Sequence, residues 1–177
     1  MINDLKTYVD YEKIENWNLR AYVEFDLEPV VSFISSWISL NYVYSTYALV
    51  LKDEFINWGA LSNGSHRKGD KAELEFFANS PLVSELLIVL KQSKSYEVEL
   101  PIKGVLYGTY VPDETTRKVN VLELDAVDLF LVVYQVRNNL FHGSKDPLKS
   151  DRDENLCKVL AQFLIDFMKL IEQELKE

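Results

Sequence analysis

The stretch Val127-Asp-Leu-Phe-Leu-Val-Val-Tyr-Gln-Val-Arg-Asn-Asn-Leu-Phe-His-Gly143 decides the reading of this chain. Its first ten residues are apolar nearly all round, the pattern of a helix buried by neighbours on every side. Polar groups then crowd into the end of the run as Arg137-Asn138-x-x-x-His142. The spacing predicts a helix from about Asp125 to His142, with Gly143 placed to stop it. An arginine is a fixed cation whose flat fork of donors fits phosphate oxygens. A histidine exchanges protons near neutrality. At roughly 100° per residue, Asn138 and His142 lie almost one above the other, and Arg137 sits about 100° to their side. The three residues span an arc of roughly 140° at the end of the helix. The bland alternative is that they satisfy the last carbonyls and pair with an acid.

Outward from this helix the chain reads as mostly helical. Residues 3–20 carry a weak helical pattern through Leu5, Val9, Ile14 and Trp17. Residues 28–57 form the longest helical candidate, ending near Trp58-Gly59. Gly59 to Lys71 is a polar loop containing Asn63-Gly-Ser-His-Arg-Lys-Gly69, after which Asp70 is placed to cap a helix over Lys71–Ala78. Asn79-Ser80-Pro81 restarts a helix that runs to about Gln92. Residues 95–122 alternate instead, and read as an insertion with a small hairpin around Asp113-Glu-Thr-Thr. After a hydrophilic loop over Ser144–Asp153, an amphipathic helix over 154–176 carries Leu156, Leu160, Phe163, Leu164, Phe167 and Ile171 on its apolar face.

Composition sets the frame for these elements. The 177 residues are 47% hydrophobic and 12% aromatic, and only six are glycine and five proline. That favours one helical domain over a turn-rich all-β fold. One cysteine, Cys157, excludes an internal disulfide and sits in an apolar helical pattern, where it reads as a small core residue in a reduced, cytoplasmic protein. The net charge of −9 argues against a broad electrostatic embrace of nucleic acid, but leaves room for a small basic cleft. No secretory signal is visible at the N-terminus. Pro29 to Leu51 carries no charge and is long enough to span a bilayer. However, Ser32, Ser35, Ser36 and Ser39 line one face of it, so a buried helix of a soluble protein with no membrane contact is expected. The serine stripe either allows another helix to approach closely or faces solvent. Trp37, Tyr42, Tyr44 and Tyr47 fall at helical spacings and read as core or interface rather than as base-stacking platforms.

The residues Val136-Arg-Asn-Asn-Leu-Phe-His-Gly143 resemble the R-x(4–6)-H motif of the HEPN superfamily, including the polar residue that family often carries directly after the arginine. Phe33-Ile-Ser-Ser-Trp-Ile-Ser-Leu-Asn-Tyr-Val-Tyr44 resembles the long first core helix of its bacterial branches. The resemblance implies an all-α HEPN-like helical bundle over 1–177, with a small irregular or β insertion at about 95–122 before the motif helix. It implies a homodimer in which two copies of the motif face each other across a shared cleft. The activity implied is metal-independent endoribonuclease, by attack of an RNA 2′-hydroxyl on the adjacent phosphate. His142 would be the general base or acid, Arg137 would stabilise the pentavalent phosphoryl centre, and Asn138 would orient either of them or a phosphate oxygen.

No metal or cofactor is implied. The sequence has two histidines, one cysteine, and neither an H-E-x-x-H nor a C-x-x-C pattern. Lys145 and Lys149 are placed to hold an RNA backbone near the cleft, the alternative being plain solvation. His66-Arg67-Lys68 could touch phosphate too, but reads first as a solvated loop. The expected role is a toxin or defence effector acting on RNA, with an antitoxin or regulatory protein as a further partner. There is one departure from the toxins paired with minimal nucleotidyltransferases, which carry R-x(4)-H-x-Y. Here the position after Gly143 is Ser144, which removes the tyrosine those toxins have modified. Tyr134 nearby reads as core packing. The competing expectation is a non-catalytic HEPN-like module that binds RNA, a nucleotide or a protein. In that case Arg137 should be tied up by an acid, such as Glu123 or one from the N-terminal segment.

Overall fold

A computed structural model of the chain describes residues 2–100, 117–141 and 150–177. It is mostly helical, as the all-α reading requires, and its β structure is one two-stranded sheet among the described residues. In chain order the elements are α1 (Ile2–Tyr8), α2 (Tyr11–Glu24), α3 (Pro29–Val50), α4 (Lys52–Gly59), α5 (Asp70–Ala78), α6 (Pro81–Lys91), β1 (Glu97–Leu100), β2 (Arg117–Asn120), a 3-10 turn at Val121–Glu123, α7 (Ala126–Phe141) and α8 (Asp151–Lys176).

The long uncharged segment becomes α3, the helix around which the others gather. It packs most extensively on α8 and α2, and also on α5. The serine stripe faces inward. Ser32, Ser36 and Ser39 are 0% exposed and Ser35 is 2% exposed. Their small side chains let neighbouring helices come close, and two hydroxyls find carbonyls. Ser32 Oγ donates to the Ala21 carbonyl at 2.7 Å, and Ser36 Oγ donates to the Ser32 carbonyl at 3.0 Å. Bonding to the carbonyl one turn back is how a serine enters a helical core without stranding its hydroxyl. Among the described residues no helix is long and apolar enough to cross a membrane.

Two predicted helices are divided. Residues 3–20 form α1 and α2, because Asp10 takes an extended conformation and its carboxylate accepts from the Lys13 N–H as an N-cap. The Asp10 N–H in turn donates to the Tyr42 hydroxyl at 2.8 Å, fixing the break against α3. The helix expected over 28–57 breaks at Leu51, whose φ of −100° and ψ of 44° end α3 where charged residues begin. After the break, Phe55 and Trp58 of α4 turn onto Phe76 of α5. The last helix starts at Asp151, earlier than expected, because Ser150 caps it by accepting from the Asp153 N–H.

The alternating segments at either end of the insertion pair antiparallel, with Glu97 opposite Asn120 and Leu100 opposite Arg117. Val98 and Leu100 point into the core, and the sheet rests on α8. The turn expected around Asp113–Thr116 and the stop expected at Gly143 lie outside the described residues.

The core is one apolar cluster drawn from every helix except α4, together with β1 and the 3-10 turn. At its centre Phe130 of α7 meets Phe77, Phe163 and Phe167, with ring centroids 6.4, 5.9 and 5.2 Å away. Cys157 is buried in the same cluster, as read from the pattern. These contacts anchor the first turns of α7, about two turns before Arg137. Truncating a fully buried phenylalanine costs about 3–5 kcal/mol. Phe130→Ala should therefore lower the urea midpoint by that equivalent, while Ile88→Ala on the exposed face of α6 should stay within about 0.5 kcal/mol of the parent.

Candidate functional site

Three helices converge on Arg137. On α7 itself, Tyr134, Arg137 and Phe141 are spaced i, i+3, i+7 and so share a face. On α3, Trp37, Asn41 and Tyr44 share a face by the same spacing, i, i+4, i+7. Asp70 is the first residue of α5 and follows Gly69, whose φ of +81° is the left-handed turn that glycine adopts without strain.

The guanidinium lies among aromatic rings. Its Cζ is 4.8 Å from the centroid of Phe141, 5.5 Å from Trp37 and 5.9 Å from Tyr134. Trp37 also meets Tyr44 and Tyr134 edge-on, each at 5.8 Å. Tyr134 is therefore half-buried packing, as its pattern suggested, but the packing is against the arginine. Arg137 Nη1 donates to the Asn138 side-chain oxygen at 2.8 Å. Its Nε–H is buried and has no hydrogen-bond partner among the described residues. A buried donor left unmatched costs about 1–3 kcal/mol, so such a group is notable.

Across from the arginine stands Asp70. Its Oδ1 accepts from the Asn41 amide at 2.9 Å and from the Tyr44 hydroxyl in a short hydrogen bond, and the Asn41 amide also donates to the Tyr44 oxygen. Its Oδ2 lies 3.9 Å from Arg137 Nη1. The side chains of Arg137 and Asp70 are 29% and 36% exposed. An ion pair that long and that wet contributes less than about 1 kcal/mol. The carboxylate is thus anchored by α3 and faces the arginine without saturating it. One turn on, Ser45 Oγ donates to Glu73 at 2.8 Å, so α3 and α5 are joined by a second polar contact away from Arg137.

Sequence reasoning treated Asp70 as a helix cap. It is not one: α5 is preceded by Gly69 with no side-chain cap, and the carboxylate serves the contacts to α3 and α7 instead. The sequence reading assigns Asn41 no role, and places Trp37 and Tyr44 in the core or an interface. Their i, i+4, i+7 spacing was the available signal. Among the described residues the acid paired with Arg137 is Asp70, not Glu123 or an N-terminal residue.

Arg137 and Asn138 are brought together at the last turns of α7. His142, which follows the last residue of α7, lies outside the described residues, as do Lys145 and Lys149. In the loop before α5, Arg67 stacks over Trp58 at 5.0 Å and pairs with Glu75 at 3.2 Å, so its charge is already engaged. His66 and Lys68 are exposed, in keeping with a solvated loop.

No protein-family model, no curated protein and no solved structure matches the chain.

Burial raises the Tyr44 phenol above the ordinary tyrosine value, and the hydrogen bond to Asp70 and the charge of that carboxylate raise it further. The phenol is therefore a neutral donor to Asp70 throughout the neutral range. Because the folded value lies above the unfolded one, the contribution to stability is complete below pH ~10 and is lost as pH rises beyond that. Urea midpoints measured from pH 8 upward should fall more steeply above pH ~10 for the parent than for Tyr44→Phe. Parallel curves would show that Tyr44 titrates as a free phenol.

Proposed function

We propose that this chain is a metal-independent endoribonuclease of the HEPN type. The observation that carries the reading is the state of Arg137. It is held by rings and by Asn138, and among the described residues it retains a buried donor with no partner and faces an acid at 3.9 Å. A guanidinium so held is suited to an anionic centre that arrives from outside.

In the proposed reaction His142 accepts the proton of an RNA 2′-hydroxyl. The 2′-oxygen forms a bond to the adjacent phosphorus and the bond from phosphorus to the 5′-oxygen breaks. The leaving oxygen takes a proton, supplied by the second His142 of a homodimer whose motifs share one cleft. The products are a 2′,3′-cyclic phosphate and a 5′-hydroxyl. Arg137 offsets charge on the phosphoryl oxygens, Asn138 orients the guanidinium, and Lys145 and Lys149 hold the flanking backbone. The role is that of a cytoplasmic toxin or defence effector, restrained by an antitoxin or regulatory protein.

The approach of Asp70 to Arg137 supports a second reading, a non-catalytic module in which this pair is structural. The two are separated by incubating labelled RNA with the purified protein in EDTA. The ribonuclease reading expects cutting that leaves cyclic phosphate and falls by about 100-fold or more in both Arg137→Ala and His142→Ala. Both variants should melt like the parent. A well-folded dimer that cuts none of a diverse RNA set would leave the binding module in its place.

A further inference from the structure

Asp70 is too far from Arg137 for a strong ion pair and too firmly held to be incidental. Both donors on its Oδ1 come from α3, and both are side chains that α3 holds in place, Tyr44 being fully buried. Its other oxygen faces Nη1, the same nitrogen that donates to Asn138. The acceptors therefore gather on one edge of the guanidinium, while the unmatched Nε–H lies on another. Aromatic rings hold the face of the group but favour neither Nη over the other, so a half-turn about the Nε–Cζ bond leaves their contacts unchanged. A fixed carboxylate on one edge supplies that missing constraint.

We infer that Asp70, anchored by Tyr44 and Asn41, is a positioning residue that sets the rotation of the Arg137 guanidinium and so directs its remaining donors toward a phosphodiester. The inference rests on the ribonuclease reading for its substrate class, but the positioning itself can be observed without RNA. Asp70 touches neither substrate nor reacting atoms in this scheme; it acts through Arg137. Small misplacement of a group that acts in the transition state costs up to about 100-fold in rate.

The test uses Asp70→Asn, which keeps shape and can still accept from Tyr44, but turns an amide donor toward Arg137. Glu73→Gln is the control, since Glu73 joins α5 to α3 through Ser45 without facing the arginine. Two readouts are taken on the full chain. One is kcat and KM for RNA cleavage. The other is the nitrogen-15 NMR signature of the Arg137 guanidinium, whose slow rotation gives separate Nη resonances when the group is fixed.

Asp70→Asn is expected to lower kcat by about 10- to 100-fold with KM changed far less, and to merge the Arg137 resonances. Glu73→Gln should do neither. If Asp70→Asn fails to fold, Tyr44→Phe removes the anchor while leaving the carboxylate, and should produce a smaller shift in the same direction in both readouts. Separate Arg137 resonances persisting in both variants would overturn the inference, as would a loss of kcat without a change in them, or an equal loss in Glu73→Gln. If the parent cuts no RNA, the ribonuclease reading fails by itself, and the resonances still decide whether Asp70 positions Arg137.

Discussion

The structure depends on burying α3, a helix of 22 residues without a charge. A helix with no charged face has no side that favours water, so neighbours must cover it nearly all round. The chain meets that demand in two ways. Where α3 carries serines, α2 and α8 come close and the hydroxyls of Ser32 and Ser36 bond to nearby carbonyls. Where it carries Trp37, Asn41 and Tyr44, it is covered by α5 and by the end of α7, and the cover is polar. One helix therefore sets both the packing of the bundle and the floor of the arginine site. Its two faces do this with different chemistry, small hydroxyls for proximity and larger polar and aromatic groups for orientation.

Much of this was legible in the sequence because it is written in local pattern. The all-apolar run ending in Arg137 and Asn138 announced a buried helix with polar groups at one end, and α7 is that helix. The apolar face of α8 and the two alternating segments of the insertion were readable in the same way. The breaks were harder. Residues 28–57 contain no glycine or second proline to mark Leu51, and the division follows from where charges resume and where Phe55 and Trp58 find Phe76. The break at Asp10 had a local signal, since an aspartate three residues ahead of a bonded N–H is an N-cap, but the surrounding apolar spacing masked it.

Asp70 illustrates what local reading misses. An aspartate after a glycine and before a helical run fits a cap on local grounds, and that reading was self-consistent. Its actual partners lie far away in sequence, at Asn41, Tyr44 and Arg137. Nothing in the spacing of any one helix reveals that three of them meet there. The serine stripe failed to be diagnostic for a related reason. A hydroxyl can bond to its own helix backbone, so polarity by itself does not place a serine at the surface.

The acidic balance, 28 acids against 19 bases, bears on how such a site would have to work on RNA. A protein of this charge does not draw in a polyanion by its overall field, so attraction must come from a few local contacts. With little binding energy available over a long stretch of backbone, discrimination between ground state and transition state rests on how those few groups are oriented. A guanidinium free to rotate would interact with the phosphate at every stage alike. One fixed by rings, by Asn138 and by an anchored carboxylate can be matched to the geometry of the phosphoryl centre at the moment charge accumulates there. The weak Asp70–Arg137 contact is then better understood as a constraint on direction than as a source of stability, which is consistent with a separation too long to contribute much energy.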